Sequence, residues 1–437
     1  GVQTCALPIL ETVRRSAEDV LAPVYVDFVE WILRSAGQKG IRRIYFLARD
    51  GYPMYRAAQI LSRQNLAGRS GSAERPIELR YLKCSRYALR IPWFHLIGTQ
   101  AVEQICLGGI DVTLQKVLKR AGLTEEEVCR TARRMGRAGE RNRILSRQEL
   151  QGLREILLRD QQFWEDVSAH ARAAYEPAMG YFRQEGLLDD VPAAVADSGW
   201  TGSMQQTLGR LLQSGGRKEG LDGYYFGLYH LPEGADPERY HAYYFGPTGN
   251  IRRKVWFCNS LFECVFSEPA PMTVGYRKGE QGYEPVPEDP VIRNQEELSI
   301  LLSAVEARAD KSRQPGNLRE FRSLRESRNL REFRRLMGAP DSREAEAFGR
   351  MKFTDDVLDA GQTLAAPLSE AEIRGNHFLP KIRGLLGIGE PKVIRESAWM
   401  EGSIRLAGRR VHMHLLQNRM YRYALYLKKQ WTESRKR

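Results

Sequence analysis

The chain has 437 residues, of which 42% are hydrophobic and 28% are charged, and its formal net charge is +13. The composition is that of a globular protein, and the length allows two to three domains. No apolar run approaches the roughly 18 residues of a membrane-spanning helix, and no secretory signal is recognisable. The six cysteines contain no C-x-x-C pair, which argues against a disulfide framework or a structural zinc site and favours a reducing cytoplasm.

The positive charge indicates an anionic partner, which is nucleic acid, a membrane face or an anionic small molecule. Arginines are spread from Arg14 to Arg437. Because no aromatic-and-basic recognition signature accompanies them, a dedicated nucleic-acid surface is not favoured.

The opening stretch GVQTCALPI is typical of translated sequencing-adapter read-through. We therefore expect residues 1–9 to be non-native and the natural protein to extend upstream.

Residues 10–290 predict alternating strands and helices. VYVDFVEWILRSAGQKG spaces its apolar residues as a buried helix that ends near Gly40. The run IYFLA predicts a short buried strand, after which Asp50 and Gly51 turn the chain and Pro53 lies in the first turn of a helix. Strand, tight turn and helix are the first half of a βαβ unit.

A second strand is predicted through Leu82, followed by a turn at Ser85 into another helix. Residues of about 99–186 predict a helical insertion. VPAAVADSGW predicts a third strand, and LDGYYFGLYHL, YHAYYFG and LFECVFS predict further strands rich in tyrosine and phenylalanine. Strands separated by helices predict an α/β, Rossmann-like fold with a mainly parallel sheet and helices on both faces.

After Pro290 the composition changes to arginine-rich helical segments. Residues 291–347 are a charged amphipathic segment with NLREFR duplicated at positions 317 and 329. Its apolar residues share a broad helical side: Leu318, Phe321, Leu324, Leu330, Phe333 and Leu336. Such a helix either packs on its own domain or binds a membrane surface. Residues 348–437 predict a mostly helical region that ends in a basic helix, QNRMYRYALYLKKQWTESRKR, with a tyrosine-rich side.

The carboxyl ends of parallel strands are where ligands bind in an open α/β sheet. We expect Asp197 to end its strand, so that the following helix points free N–H groups at an anion. Asp50 and Asp197 are predicted to hold Mg²⁺, which accepts one or two carboxylates together with phosphate oxygens. The candidate phosphate-binding residues are Arg49, Gly51, Ser85, Arg86, Ser198, Gly199, Trp200, Thr201, Gly202 and Ser203. For each, a structural interpretation stays open: a turn, a helix cap or a surface ion pair.

Five segments occur in the order IYFLARDGYPMY, YLKCSRYALRIP, VADSGWTGSMQQTL, LDGYYFGLY and LFECVFSEP. Together they resemble the C-terminal half of large bacterial proteins described as predicted hydrolases of the haloacid dehalogenase (HAD) superfamily, often found with glycosyltransferases in surface-polysaccharide gene clusters. The resemblance covers residues of about 22–285. It implies a Rossmann-like, HAD-like fold and Mg²⁺-dependent phosphoryl chemistry through an aspartyl nucleophile. Gln205 and Glu263, which lie in these segments, complete the candidate substrate-binding residues.

The superfamily's nucleophile motif is D-x-D, whose second aspartate serves as general acid and base, and here Tyr52 stands at that position. Two functions follow. The first is a phosphohydrolase or phosphotransferase acting on a sugar phosphate or phosphorylated glycan in bacterial surface-polysaccharide biosynthesis, with Asp50 as nucleophile or metal ligand and Asp197 as metal ligand. The second is a non-catalytic or glycosyltransferase-like module that binds a nucleotide sugar or anionic glycan for a partner enzyme. We expect a cytoplasmic location, with contact to the inner membrane through the basic helices 317–338 and 412–437 as a hypothesis.

Overall fold

The computed structural model describes residues 3–67, 75–289, 293–312, 319–353, 362–390 and 393–435. Its centre is a sheet of five parallel strands, which are β1 (Arg43–Leu47), β2 (Glu78–Leu82), β3 (Ala193–Trp200), β4 (Asp222–Leu228) and β5 (Tyr240–Phe245). Their order across the sheet is β2-β1-β3-β4-β5. The predicted α/β class and the parallel, Rossmann-like sheet are therefore confirmed.

Both faces of the sheet are covered, which explains why the strands read as nearly continuous apolar runs. Alternate residues of β1 enter two different cores: Ile44 and Phe46 belong to one, and Tyr45 and Leu47 belong to the other. Helices before β4 supply most of this cover: α1 (Gln3–Ser16), α2 (Ala22–Gln38), α3 (Gly51–Ala67), α4 (Arg86–Ile97), α5 (Val102–Ile105), α6 (Leu114–Arg120), α7 (Glu125–Arg134), α8 (Arg147–Leu158), α9 (Gln161–Gln184) and α10 (Ser203–Ser214).

The chain after β5 adds helices to the core that contains Ile44 and Phe46, places Tyr276 in the core that contains Tyr45 and Leu47, and forms a small third cluster around Ile373 and Ile404. Its described elements are α11 (Ile251–Trp256), α12 (Asn259–Val265), the antiparallel hairpin β6 (Thr273–Gly279) and β7 (Gly282–Pro287), α13 (Gln295–Lys311), α14 (Arg319–Gly338), α15 (Ser342–Gly349), the short pair β8 (Lys352–Phe353) and β9 (Gln362–Thr363), α16 (Glu370–Gly375), α17 (Phe378–Leu386), α18 (Met400–Ala407) and α19 (Val411–Arg435). None of the described helices is long and apolar enough to cross a membrane.

Two predicted elements are wrong in detail. LFECVFS is not a strand but lies mostly in the helix α12, in which Leu261, Phe262, Cys264 and Val265 are all buried. A short helix that is buried on nearly every side has no amphipathic period, so its sequence cannot be told from that of a buried strand. Strand β3 does not end at Asp197 but continues to Trp200, because its pairing with β4 persists there.

The arginine-rich helix α14 packs on its own domain over the part whose side chains are described. Phe333, Leu336 and Met337 are buried in the same core as Ile44, and the Phe333 ring contacts those of Phe226, Tyr244 and Phe257. Leu318 and the side chains of Phe321 and Leu324 lie outside the described residues. The described apolar side of α14 is therefore core, and a membrane contact would have to use another surface.

Candidate functional site

The strand order places a ligand-binding position between β1 and β3. In the order β2-β1-β3-β4-β5 the chain leaves β1 toward one edge of the sheet and β3 toward the other, which makes the gap between them the topological switch point where α/β sheets bind ligands. Asp50 lies just beyond the carboxyl end of β1. Asp197 lies in the second half of β3, where this strand is still paired with β4. Both candidate aspartates therefore meet at this point.

Three carboxyl groups form an acidic cluster here: Asp50, Asp197 and Glu263. Each residue keeps part of its surface accessible, but protein atoms surround the carboxyl groups of Asp50 and Asp197. Desolvation raises the pKa of Asp50 well above its ordinary value, and the charges of Glu263 and Asp197 raise it further. Arg49 and Ser198 offset only part of this rise. The cluster is thus short of positive charge.

The pKa of Asp197 is raised to about 7, also mainly by desolvation. The Ser198 N–H donates to Asp197 Oδ1 at 2.8 Å and lowers the pKa, the charge of Glu263 raises it, and that of Arg86 lowers it. Carboxyl groups with strongly perturbed pKa values in a cleft are typical of functional sites. Near neutral pH, Asp197 is therefore divided between its two protonation states.

Glu263 reaches the cluster from α12, whose other side chains are anchored in the core. Trp200 Nε1 donates to Glu263 Oε1 at 2.6 Å. The Trp200 ring packs edge-on against Phe262 with 5.6 Å between centroids, so the end of β3 and α12 hold each other in place. This bond orients the Glu263 carboxylate toward the cluster.

A cavity of about 90 Å³ opens onto the cluster. Its volume corresponds to roughly three water molecules, enough for a phosphate-sized group but not for a whole sugar. It combines two acids with three basic side chains, and its lining residues are Arg49, Asp50, Glu263, Cys264, Ser267, Arg293, Asn294, Leu298, Lys352 and Phe353. This charge pattern suits an anion held beside carboxylates.

The turn after Asp197 places one buried hydroxyl, that of Ser198, beside the Asp50 carboxyl. Ser198 is 1% exposed, and its Oγ lies near the Asp50 carboxyl without forming a well-aligned hydrogen bond to any described residue. An orphaned buried hydroxyl in a native fold calls for a ligand, an ion or water. Gly202 takes a left-handed conformation as the N-cap of α10, and Thr201 Oγ1 accepts the Ser203 N–H at 3.4 Å. Ser198 is thus the residue of this turn that points to a ligand.

Other candidates have structural partners. Ser85 Oγ donates to Thr273 O at 2.6 Å and accepts the Ala88 N–H at 3.0 Å, so it caps α4. Gln205 Nε2 donates to the carbonyl oxygens of Leu221 and Arg239, and its Oε1 accepts the Tyr225 hydroxyl proton at 2.6 Å. These two side chains hold the fold rather than a ligand.

The remaining candidates border the acidic cluster. Arg86 is exposed at the start of α4, and its charge reaches Asp197. Arg49 Nη1 donates to Ala270 O at 3.1 Å, which fixes the guanidinium at the cavity wall. Gly51 begins α3 so close to β1 that a Cβ there would lie 2.9 Å from the Phe46 carbonyl carbon.

Sequence reasoning missed three residues of this region. Tyr25 of α2 donates its hydroxyl proton to the Asp50 carbonyl oxygen at 3.3 Å. Arg293 and Lys352, which follow the domain predicted for residues 10–290, line the cavity. No local pattern marks them, because they reach the cavity through tertiary packing. Tyr52, in contrast, packs its ring edge-on against Tyr81 at 5.3 Å between centroids and does not line the cavity.

A larger cavity, of about 1040 Å³, lies away from the strand ends between α1, α13, α14 and α15. Its charged walls satisfy one another: Arg335 bonds Glu344 at 2.8 Å and Glu332 at 3.1 Å. Because this cavity lies away from the strand ends and Arg335 is paired with both acids beside it, its size does not make it the better candidate for chemistry.

The oxygen donors of the acidic cluster fit a hard cation. Mg²⁺ is bound through one or two carboxylates plus waters and phosphate oxygens rather than by an all-protein cage. Among the described residues, no group of three or more histidine, cysteine, aspartate or glutamate side chains could hold a metal ion by itself. Asp50 and Asp197, desolvated and repelling each other, are the pair whose charge a cation would balance.

Asp197→Asn is expected to flatten the pH dependence of stability in a chelator-containing buffer. Because the folded pKa of about 7 exceeds the ordinary value of 3.8, the stability contributed by the protonated carboxyl is present below the ordinary value and lost as pH rises through about 7. At about 1.4 kcal/mol per unit, the parent should lose at most about 4 kcal/mol that the variant keeps. Urea unfolding from about pH 4 to pH 8 measures this, and parallel curves for parent and variant would contradict it.

No protein-family model matches the chain, and no curated protein matches it significantly. The resemblance to the haloacid dehalogenase superfamily therefore stays a prediction from the sequence segments.

Proposed function

We propose that this chain binds a phosphorylated sugar or glycan at the carboxyl ends of β1 and β3 and hydrolyses or transfers its phosphoryl group. One observation carries the proposal: at the switch point of a parallel sheet, Asp50 and Glu263 line a phosphate-sized cavity with basic walls, and the charge of Asp197 reaches Asp50. The buried Ser198 hydroxyl, which has only a poorly aligned contact with the Asp50 carboxyl among the described residues, supports a ligand there.

Asp50 is the proposed nucleophile. Its carboxylate attacks phosphorus, the bond between phosphorus and the sugar oxygen breaks, and the leaving oxygen takes a proton. Water then attacks the aspartyl phosphate, which releases phosphate and regenerates the carboxylate. If a second alcohol attacks in place of water, the same site transfers the phosphoryl group. Arg49 and Lys352 on the cavity wall would contact the phosphate oxygens.

Glu263 is the proposed proton carrier. The position that would hold a general acid two residues after Asp50 is Tyr52, which packs against Tyr81. Glu263 lines the cavity together with Asp50 and is oriented by the Trp200 N–H. A carboxyl group so placed can give a proton to the leaving oxygen and take one from the attacking water. The general acid and base of the reaction would then come from α12 and not from the residues that follow Asp50.

Mg²⁺, held by Asp50 and Asp197, would supply positive charge that balances the carboxylates and the phosphate. Without a cation, burial and the neighbouring carboxylates raise the pKa of Asp50 and so disfavour its charged form, which is the nucleophilic one. Beside a cation the charged form is favoured. This is why the proposed activity depends on the metal.

The biological setting rests on the sequence resemblance. We propose that the substrate is a sugar phosphate or phosphorylated glycan of cell-surface polysaccharide synthesis, and that glycosyltransferases act on the same molecules in the cytoplasm. The phosphate-sized cavity is consistent with recognition of the phosphate group first and the sugar at the cavity mouth.

Phosphate release from a panel of sugar phosphates and nucleotide sugars, with Mg²⁺ or with EDTA, tests this function. We expect Mg²⁺-dependent turnover of at least one sugar phosphate. Glu263→Gln should lower it about a hundredfold and remove one limb of the pH profile. The matched control is Glu284→Gln, which changes an exposed carboxylate of the β6–β7 hairpin and should leave turnover unchanged.

The second function is recognition without catalysis, and the packing of Tyr52 against Tyr81 favours it because no carboxylate stands at that position. A panel that shows no turnover, together with calorimetric binding of a nucleotide sugar or anionic glycan that Ser198→Ala weakens, would replace the catalytic function with this one.

A further inference from the structure

The C-terminal helix α19 carries an exposed apolar stripe along its whole length. The stripe consists of Met413, Leu416, Met420, Tyr423, Leu427 and Trp431, all of which are exposed. Their spacings of three and four residues keep them on one side of a helix, over a length of about 27 Å. Leu416, Leu427 and Trp431 each expose 56% of their surface. Single exposed apolar residues are ordinary, but a continuous row of six marks an interaction surface.

The opposite side of α19 is anchored, so the stripe cannot turn inward. Arg422 Nη1 bonds the buried Glu401 at 2.7 Å, and its Nη2 donates to Phe257 O at 2.6 Å. Asn418 Nδ2 donates to Glu401 Oε1 at 3.1 Å, and Tyr426 stacks on Tyr229 at 5.5 Å between centroids. These polar and aromatic contacts fix which side of the helix faces out.

A neighbouring helix extends the apolar surface. Leu379 and Leu386 of α17 are exposed and lie seven residues apart, on one side of that helix. The Phe378 N–H donates to Gln417 Oε1 of α19 at 3.1 Å, which ties the two helices together. The helix that contacts α19 thus also exposes apolar residues.

Positive charge surrounds the stripe. Arg409 and Arg410 precede the helix, and Lys428 and Arg435 lie toward its end, all exposed. The guanidinium of Arg435 stacks on the Trp431 ring at 3.7 Å from its centroid. Across Val411–Arg435 the sequence contains one acid, Glu433. An apolar, aromatic stripe bordered by cations complements a surface that is apolar beneath and anionic on top.

We infer that α19 docks this chain onto an anionic lipid surface, with its stripe among the acyl chains and its flanking lysines and arginines at the phosphates. A second copy of the chain fits the same stripe less well, because it would bring cations against cations with a single acid per helix to offset them. The proposal concerns α19 alone and does not depend on the proposed catalytic function.

Co-sedimentation of the full chain with vesicles tests this docking. We expect binding to vesicles of phosphatidylcholine mixed with phosphatidylglycerol, weaker binding to phosphatidylcholine alone, and release at high salt. The combined change Leu416→Ser, Leu427→Ser and Trp431→Ser should reduce binding at least about tenfold. Its matched control, Leu107→Ser with Ile156→Ser and Leu158→Ser, removes three other exposed apolar side chains and should bind as the parent does.

A charge variant separates the two contributions. The double variant Lys428→Gln with Arg435→Gln should lower binding to the anionic vesicles about tenfold and leave binding to neutral vesicles unchanged. Its matched control is Arg159→Gln with Lys218→Gln, at exposed positions elsewhere, which should bind both kinds of vesicle as the parent does. Light scattering on all variants reports self-association. Vesicle binding that survives loss of the stripe, an absence of vesicle binding, or a dimer that the stripe substitutions dissociate would each overturn the proposal.

Discussion

Asp50→Asn is expected to lower phosphate release at least about a thousandfold, because it removes the proposed nucleophile. The same change should leave the free energy of unfolding unchanged or raise it. Desolvation and the charges of Glu263 and Asp197 raise the pKa of Asp50 well above its ordinary value, so without a cation the fold stabilises the charged carboxyl less than water does. A neutral amide of the same shape therefore costs the fold little.

Asp222→Asn is the matched control, since it makes the same substitution at the opposite end of the sheet. Asp222 is the first residue of β4, and it pairs with Arg239 at 3.0 Å and His241 at 2.8 Å. Burial raises its pKa, but the hydrogen bond from His241 and the charge of Lys39 outweigh this and leave the pKa below its ordinary value. Its stabilising contribution is therefore present above the ordinary value of 3.8 and lost as pH falls.

The two aspartates should thus behave in opposite ways. Loss of activity with stability kept is expected at position 50, and loss of stability with activity kept is expected at position 222. Phosphate release and urea unfolding of both variants at neutral pH measure this. If Asp50→Asn retains turnover, or if it unfolds the chain as Asp222→Asn does, Asp50 is a structural residue and the proposed mechanism is wrong.

Gly199→Ala is expected to destabilise the chain by about 3 kcal/mol or more. Gly199 lies in β3 with φ +122°, a conformation that residues with a side chain rarely adopt. A Cβ at this position would overlap the carbonyl oxygen of Gly227 on the neighbouring strand. Backbone cannot move aside as a flexible side chain can, so the pairing of β3 with β4 must be disturbed.

The matched control for this change is Gly209→Ala. Gly209 lies within α10, where a Cβ meets no atom within 4 Å, and alanine in a helix is favoured over glycine by about 0.5 to 1 kcal/mol. Chemical denaturation of both variants should therefore move the midpoints in opposite directions. Equal stability of Gly199→Ala and the parent would show that the β3–β4 edge adjusts freely. In that case β3 would not hold Trp200, and through it Glu263, in a fixed orientation.

Local patterns in the sequence predicted the ends of β1 and β2 well, the end of β3 wrongly and only part of the candidate site. Asp50 and Asp197 were found because apolar runs stop beside them, and turn residues follow. Ser85 and Gln205 have the residue types of a binding site but serve as a helix cap and a buried bridge. A hydroxyl or amide looks the same in the sequence whether its partner is a ligand or a backbone carbonyl, so only the partners in the fold distinguish the two.

What the sequence by itself determined is therefore what depends on neighbours along the chain: the α/β class, the ends of β1 and β2, and the position of Asp50 just after β1. What only the tertiary structure decided depends on contacts between distant segments. The strand order brings β1 beside β3, α12 carries Glu263 to Asp50, and Lys352 closes the cavity wall. The apolar sides of α14 and α19 look alike in sequence, yet one enters the core and the other faces out. The physical reason is that periodicity shows that a helix has an apolar side, whereas the space left by the other elements determines whether that side is covered.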